Sequence, residues 1–235
     1  AMYATRYMHD HGVTPAQIGA VAVHARRMAG LNPAAVYRDP LMLDDYLTSR
    51  IIASPLRLYD CDVPVDGSTA FVLSRVEEGA DMPNAPLRFE AIGSAFSGGG
   101  LRQPTDMSSF GAEAVASMMW SRTDLKPHDV DVGQIYDGFS ILTLHWLEAL
   151  GLCGHGQAGA FVEGGQRIAL DGELPINTGG GQLSAGRLHG FGHIHEACLQ
   201  LWGRGGARQV PHDPKVAVVC NGAYGLGSLL LVKES

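Results

Sequence analysis

Residues 176–196 read INTGGGQLSAGRLHGFGHIHE, which sets Gly179, Gly180 and Gly181 a few positions ahead of Arg187, His189, His193, His195 and Glu196. A core has no use for that mixture, because glycine weakens helices and strands and histidine is costly to bury without a partner. Something is bound or transformed there. On a continuous helix His189, His193 and Glu196 share one face at i, i+4 and i+7, while His195 points elsewhere. Two imidazoles and a carboxylate could hold a divalent metal. The same residues could form a histidine cluster with no ligand, or an organic ligand could set anionic oxygens on the free N–H groups of the helix N-terminus. Gly190 and Gly192 favour the last reading, since they allow a close backbone approach that a metal does not need. No metal is expected.

Two further stretches carry reactive groups at junctions. Tyr136-Asp137-Gly138-Phe139 stands between a β-compatible run and a helical one. A tyrosine there could donate a hydrogen bond to a developing oxyanion, or act as acid or base with a lowered pKa. Asp137 either caps the helix or takes part in the site. Cys220-Asn221-Gly222-Ala223-Tyr224-Gly225 ends a strand in a glycine-rich turn, where a thiol could exchange protons or attack a carbonyl. The Ser97-Gly98-Gly99-Gly100 loop lacks the Lys and Ser/Thr of a Walker motif.

These groups need a scaffold. Residues 14–30 carry a helix start, with Thr14 as N-cap, Pro15 at the first helical position, Gln17 three residues after the cap and Gly30 as a stop. A long proline-punctuated loop region follows, with a short helix between residues 42 and 52. After Cys61 a small-residue turn leads into an apolar strand, and the chain repeats that plan after Cys220, each time through a Gly-Ser pair. Matching endings indicate a duplicated fold. Residues 79–86 read as a linker between a unit at 1–78 and a unit at 87–235. Beyond it the periodicity predicts strands at 87–92, 130–136, 176–178, 216–220 and 227–232 and helices at 109–121, 139–150 and 188–202. Interleaved strands and helices imply an α/β layered sandwich whose sites gather where strands end and helices begin.

Composition narrows the function further. With 17 basic against 24 acidic residues, a formal charge of −7 and no Lys/Arg cluster, nucleic acid is not an expected partner. No apolar run reaches the ~20 residues of a membrane span, and residues 1–12 lack the order of a signal peptide, so a cytoplasmic location is expected. Cys61, Cys153, Cys198 and Cys220 are widely spaced and are expected as reduced thiols.

Taken together, these motifs resemble the thiolase superfamily, in particular its sterol-carrier and lipid-transfer-type branch. Residues 177–190, NTGGGQLSAGRLHG, are similar to the thiolase block Asn-x-x-Gly-Gly-x-x-x-x-Gly-His-Pro-x-Gly. Cys220-Asn221-Gly222 is similar to the Cys-x-Gly catalytic turn, and Tyr136-Asp137-Gly138-Phe139 falls where thiolases have Asn-Glu-Ala-Phe or related branches His-Asp-Cys-Phe. Residues 3–73 resemble the loop domain and last strand of the N-terminal half. The resemblance covers the whole chain and implies an αβαβα sandwich with the C-terminal half complete and the N-terminal half present only in part. The segment with the acyl-accepting cysteine would precede residue 1, through truncation or on another polypeptide, of which truncation is the preferred reading.

The departures direct the functional expectation. Arg187-Leu188 replace the family's His-Pro pair, and arginine can stabilise an oxyanion but cannot act as a base at neutral pH. Tyr136 replaces an oxyanion-hole asparagine, as in thiolase-like aldolases that cleave steroid β-hydroxyacyl-CoA side chains together with an OB-fold partner protein. The resemblance therefore implies retro-aldol cleavage of a bulky 3-hydroxyacyl-CoA, with coenzyme A as part of the substrate and no covalently bound cofactor. Tyr136, Arg187, His189, Cys220 and Tyr224 are its catalytic candidates. Asp137, Asn177, Gly180, Gly181, Gly190, Asn221 and Gly222 are expected to line the substrate, and Arg26 and Arg27 either touch CoA phosphates or carry solvated surface charge. A homodimer, or a partner chain, is expected to cover the exposed face of the half-sandwich. A Claisen-type acyltransferase and a non-catalytic acyl-CoA-binding subunit stay open as alternatives.

Overall fold

The computed structural model describes residues 1–75, 78–79, 82–96, 111–222 and 225–234. Its centre is a mixed four-stranded sheet in the order β3-β6-β5-β4, built from β3 (Leu87–Phe96), β4 (Val132–Gln134), β5 (Val216–Asn221) and β6 (Gly225–Lys233). β6 runs antiparallel to both β3 and β5, whereas β4 is parallel to β5 with Val132 opposite Ala217. Alternation along β5 divides its side chains between two cores. Val216, Val218 and Cys220 face one, and Ala217 and Val219 face the other.

The second core is closed by α7 (Phe191–Leu201), whose Ala197, Cys198 and Leu201 pack on Val132, Ala217 and Leu231. The first is closed by α2 (Pro15–Gly30), α4 (Ala112–Trp120), α5 (Ser140–Ala149) and the short α6 (Ala158–Val162). α5 is buried nearly all round, with Ile141, Leu144, Trp146 and Leu147 in the core beside the buried polar residues Ser140, Thr143 and His145. α4 lies so close to β3 that a Cβ at Gly93 would stand 2.1 Å from Val115 O. These helix–sheet–helix layers agree with the α/β layered class read from sequence.

Local signals place several elements as expected. Thr14 and Gln17 form the reciprocal capping box of α2, Gln17 N donating to Thr14 Oγ1 at 3.2 Å and Thr14 N to Gln17 Oε1 at 2.9 Å. α3 (Leu43–Thr48) is the short helix of the loop region, and a two-stranded ribbon, β1 (Ile51–Ala53) with β2 (Leu56–Arg57), follows it. α1 (Met2–His11) has no counterpart in the sequence reading. It docks through Tyr7, whose hydroxyl donates to Glu148 on α5.

Three expectations need correction. The apolar strand after Cys61 is not a strand: through residue 75 the chain makes only the isolated bridges Cys61↔Phe139 and Pro64↔Arg187, because no described strand lies alongside it to complete a ladder. Val72 is 85% exposed, and Phe89, Ile92 and Phe191 are exposed as well. The short strand at 176–178 reduces to one parallel bridge, Gly133↔Ile176. Finally α7 starts at Phe191 rather than at residue 188, because Gly190 (φ +89°) and His189 (φ +48°) are both left-handed. Among the described residues no helix is long and apolar enough to cross a membrane.

Burial of two imidazoles makes stability depend on acid. His24 Nε2 donates to Ile176 O at 2.8 Å while Nδ1 accepts from Arg27, which fits the neutral ring, and burial lowers its pKa to about 4. His145 is likewise lowered to about 4, chiefly by burial. A histidine depressed below its unfolded value near 6.5 takes up its proton more readily in the unfolded chain, so it destabilises the fold as pH falls from 6.5 towards 4. Each ring is expected to withdraw on the order of 2–3 kcal/mol by pH 4. Urea melts at pH 7.5 and pH 4.5 check this, and equal midpoints would contradict it.

Candidate active site

Tyr136 owes its place to a backbone clamp. Asn177, itself at φ +45°, accepts from Ile135 N at 2.7 Å and donates to Ile135 O at 2.9 Å, so one side chain acts as a strand neighbour where β4 ends. On the opposite side Tyr136 N donates to Cys220 Sγ at 3.3 Å. Between the two clamps the phenol folds over Gly138, where a Cβ would lie 2.9 Å from the hydroxyl. Glycine at 138 leaves that space to the ring.

Asp137 then turns inward. Its carboxylate is fully buried and accepts from Gln182 N at 2.8 Å and Leu183 N at 3.3 Å, the first amides of a π-helical turn (Gly181–Ala185). Anionic oxygens are favoured at such free N–H groups. Gly181 (φ +57°) opens the space, since a Cβ there would sit 1.9 Å from Asp137 Oδ2. Gly180 (φ +100°) performs the same service against Ala29 of α2. From α7, His193 Nε2 reaches 3.2 Å from Asp137 Oδ1, within ion-pair distance but off hydrogen-bond alignment, and neither ring nitrogen has a hydrogen-bond partner. The Asp137 cap therefore serves this turn, and Ser140 begins α5 with no side-chain cap.

Arg187 and His189 lie at the open side. Arg187 N donates to Val63 O at 2.8 Å, and its Nε stands 3.6 Å from Asp62 Oδ2. His189 is exposed. Burial raises the Asp62 pKa, while Arg187 and His189 lower it and Asp137 raises it. Tyr136 is raised for the same leading reason, burial, with the Gln182 side chain and Arg187 pulling down and Asp62 and Asp137 pushing up. Asp62, Tyr136, Asp137, Gln182 and Arg187 thus share one electrostatic neighbourhood. Sequence reading missed Asp62, Gln182 and the Asp137–His193 pair. Gln182 stands inside the glycine block at a position that reads as spacer, and Asp62 is brought in only by folding.

Other candidates are placed differently. Glu196 is committed to a bidentate pair with Arg208 at 3.0 Å and to Thr178 Oγ1 at 2.8 Å, which ties α7 to the glycine block. With His189 outside α7, the three-residue face on one helix does not exist. Arg26 is buried, donating to Ser184 Oγ and Asp39 O with Tyr37 and Tyr59 flanking its guanidinium, so it braces the π-helical turn rather than meeting a CoA phosphate. Arg27 is spent on Gly165 O at 2.9 Å and on His24. Asn221 packs on Gly190, where a Cβ would come 2.6 Å from its Cγ, and Gly222 O accepts from Trp146 Nε1 at 3.2 Å. Tyr224 lies outside the described residues. An apolar cleft of about 240 Å³, lined by Phe89, Ile92, Phe191, Ile194 and Leu229, also reaches His189.

Cys220 is buried, and burial raises its thiol well above the ordinary range. The thiolate is the nucleophile in cysteine chemistry, and burial disfavours that form of Cys220 in the folded protein. Iodoacetamide at pH 8 is expected to leave it unmodified in the native protein and to label it fully in urea, read by peptide mass spectrometry. Rapid native labelling would overturn that assignment.

Comparison with known proteins bears on the family and the fold. The family described as thiolase C-terminal domain-like matches residues 93–231. A 17-hydroxy-3-oxo-4-pregnene-20-carboxyl-CoA lyase of Mycobacterium tuberculosis is 40% identical over 212 residues, covering 86% of this chain and 54% of the relative. A steroid side-chain-cleaving aldolase of Thermomonospora curvata is 36% identical over 231 residues, covering 94% and 58%. Among solved structures, an Ltp2-ChsH2(DUF35) aldolase superposes with a TM-score of 0.89 at 31% identity, over 99% of this chain and 62% of that one. The chain spans about half the length of the curated relatives it matches.

Proposed function

The chain belongs to the thiolase superfamily, and from that premise we propose that the protein cleaves a bulky 3-hydroxyacyl-CoA by retro-aldol chemistry. The observation that carries the reading is Tyr136, a protonated phenol clamped at the end of β4 beside Asp62 and Arg187. The likeness to a steroid-CoA lyase and a steroid side-chain aldolase supports it. Retro-aldol cleavage breaks the bond between the α- and β-carbons, turns the β-hydroxyl into a carbonyl and leaves an acyl-CoA enolate that takes a proton at the α-carbon. Nothing is consumed, neither free CoA nor an oxidant.

Each step has a residue. Asp62, more basic than an ordinary carboxylate through burial, accepts the hydroxyl proton. Tyr136 donates a hydrogen bond to the β-oxygen as charge grows there, which is worth most in a water-excluded site. Arg187 and His189 hold the thioester oxygen as enolate charge develops, a task that needs a cation or donor rather than a base. Cys220 gives its proton to the α-carbon and is reprotonated from solvent as Asp62 releases the hydroxyl proton there, so the cycle gains and loses no proton. The apolar cleft beside His189 takes part of the substrate's bulk.

An OB-fold partner and a homodimer belong to this proposal. The similar solved structure is an aldolase of two proteins, Ltp2 and ChsH2(DUF35), and the exposed apolar side chains around residue 72 and Phe191 are of the kind a partner covers. Assaying the full gene product with a bulky 3-hydroxyacyl-CoA, alone and with a co-encoded OB-fold protein, tests this. Cleavage that appears or rises at least tenfold with the partner is expected. Cleavage unchanged by the partner would remove the partner from the account, and none in either arm would favour a binding subunit.

A further inference from the structure

Gln182 is fully buried, yet neither its Nε2 nor its Oε1 has an aligned hydrogen-bond partner. A buried amide left this way costs about 1–3 kcal/mol, so a position with only a packing duty would be better filled by an apolar side chain. The orphan lies in a chain of contacts. His193 stands behind Asp137, Asp137 of the Tyr136-Asp137-Gly138 turn accepts from Gln182 N at 2.8 Å, and the Gln182 side chain is the group in this cluster that most favours the ionised form of Tyr136. The backbone of Gln182 is thus fixed next to the Tyr136-Asp137 turn, while its side-chain amide remains unpartnered.

We propose that Gln182 is a positioning residue for Tyr136: its buried amide, braced from behind by Asp137 and His193, orients the tyrosine hydroxyl towards the substrate oxygen. This rests on the retro-aldol reading for its consequence but not for its test. The amide can donate to the phenol oxygen through Nε2 or accept a hydrogen bond from the hydroxyl through Oε1, so it can follow the hydroxyl as the neighbouring oxygen changes charge. The charged groups facing Tyr136 are Asp62 from the 61–64 segment, Asp137 beside it and Arg187 from the glycine block, with the His193 ring 6.4 Å away on α7.

Gln182→Met keeps length and volume and removes the amide. The readout is the ¹³Cζ resonance of Tyr136 in protein labelled on tyrosine, identified by its loss in Tyr136→Phe. In Gln182→Met that resonance is expected to move, and its titration to shift upward, while the melting temperature holds or rises because an orphan amide has gone. Turnover of the hydroxyacyl-CoA is expected to fall roughly tenfold or more with KM kept, the mark of an interaction made in the transition state. A Tyr136 resonance that stays in place overturns the proposal whether or not the protein is an aldolase. Should Gln182→Met fail to fold, Gln182→Leu carries the same comparison.

Discussion

Tyr136→Phe is expected to lower the rate of hydroxyacyl-CoA cleavage by about 10²–10⁴-fold, the usual worth of one positioned proton-transfer group. The ring should stay where it is. Its position comes from the backbone clamps of Asn177 and Cys220 and from the space over Gly138, none of which uses the hydroxyl. Stability should therefore change by no more than about 1 kcal/mol, and KM should hardly move. The expectation depends on the phenol keeping its proton. Burial raises its pKa, and the nearby carboxylates of Asp62 and Asp137 raise it further. Steady-state kinetics and a urea melt on the same preparation give the answer. A variant that retains more than a tenth of the rate would show that Tyr136 lines the site without acting in it.

Gly181→Ala should be the most destabilising single substitution in the glycine block. Two costs add. A left-handed alanine at φ +57° loses roughly 1–2 kcal/mol, and its methyl would stand 1.9 Å from Asp137 Oδ2, so the carboxylate must leave the amides of Gln182 and Leu183. Leaving those buried groups unpaired costs a further 1–3 kcal/mol or so, for a total of about 2–5 kcal/mol. Gly203→Ala is the control, because Gly203 has φ +68° with nothing within 4 Å of the added methyl. Denaturant melts should separate the two by at least about 1 kcal/mol. Equal losses would mean that the Asp137 cradle contributes nothing to the fold.

How far the sequence discloses this arrangement depends on the range of the interaction. Thr14, Pro15 and Gln17 act within one turn, so the start of α2 is legible from four letters. The apolar run of α5 and the paired strands β5 and β6 are similarly local in their pattern. The glycine block is legible as a site, because φ values near +100° at Gly180 and +57° at Gly181 favour glycine whatever packs nearby. Its helix is misread by three residues. His189 looks helical by spacing, but Gly190 in the left-handed region delays the first turn to Phe191.

Long-range placement is where letters alone fail. Arg26 looks like surface charge on an amphipathic helix, and only the approach of Ser184, Tyr37 and Tyr59 buries it. Asp62 gains its importance from Arg187, and Gln182 gains its own from Asp137 and Tyr136, partners more than 40 positions away. The apolar segment after Cys61 carries every local mark of a strand. A strand needs a neighbour, and none is described beside it.

The most direct test of the central claim is product analysis with and without free coenzyme A. The full gene product, with the proposed OB-fold partner, is incubated with a bulky 3-hydroxyacyl-CoA and, separately, with the matching 3-ketoacyl-CoA, and the products are identified by mass spectrometry. The account predicts that the hydroxy substrate yields a free carbonyl compound and a shortened acyl-CoA in equal amounts without added CoA, and that the keto substrate is left intact. Cleavage of the keto substrate that requires CoA and returns two acyl-CoA products would contradict it, and would make the protein a Claisen-type acyltransferase.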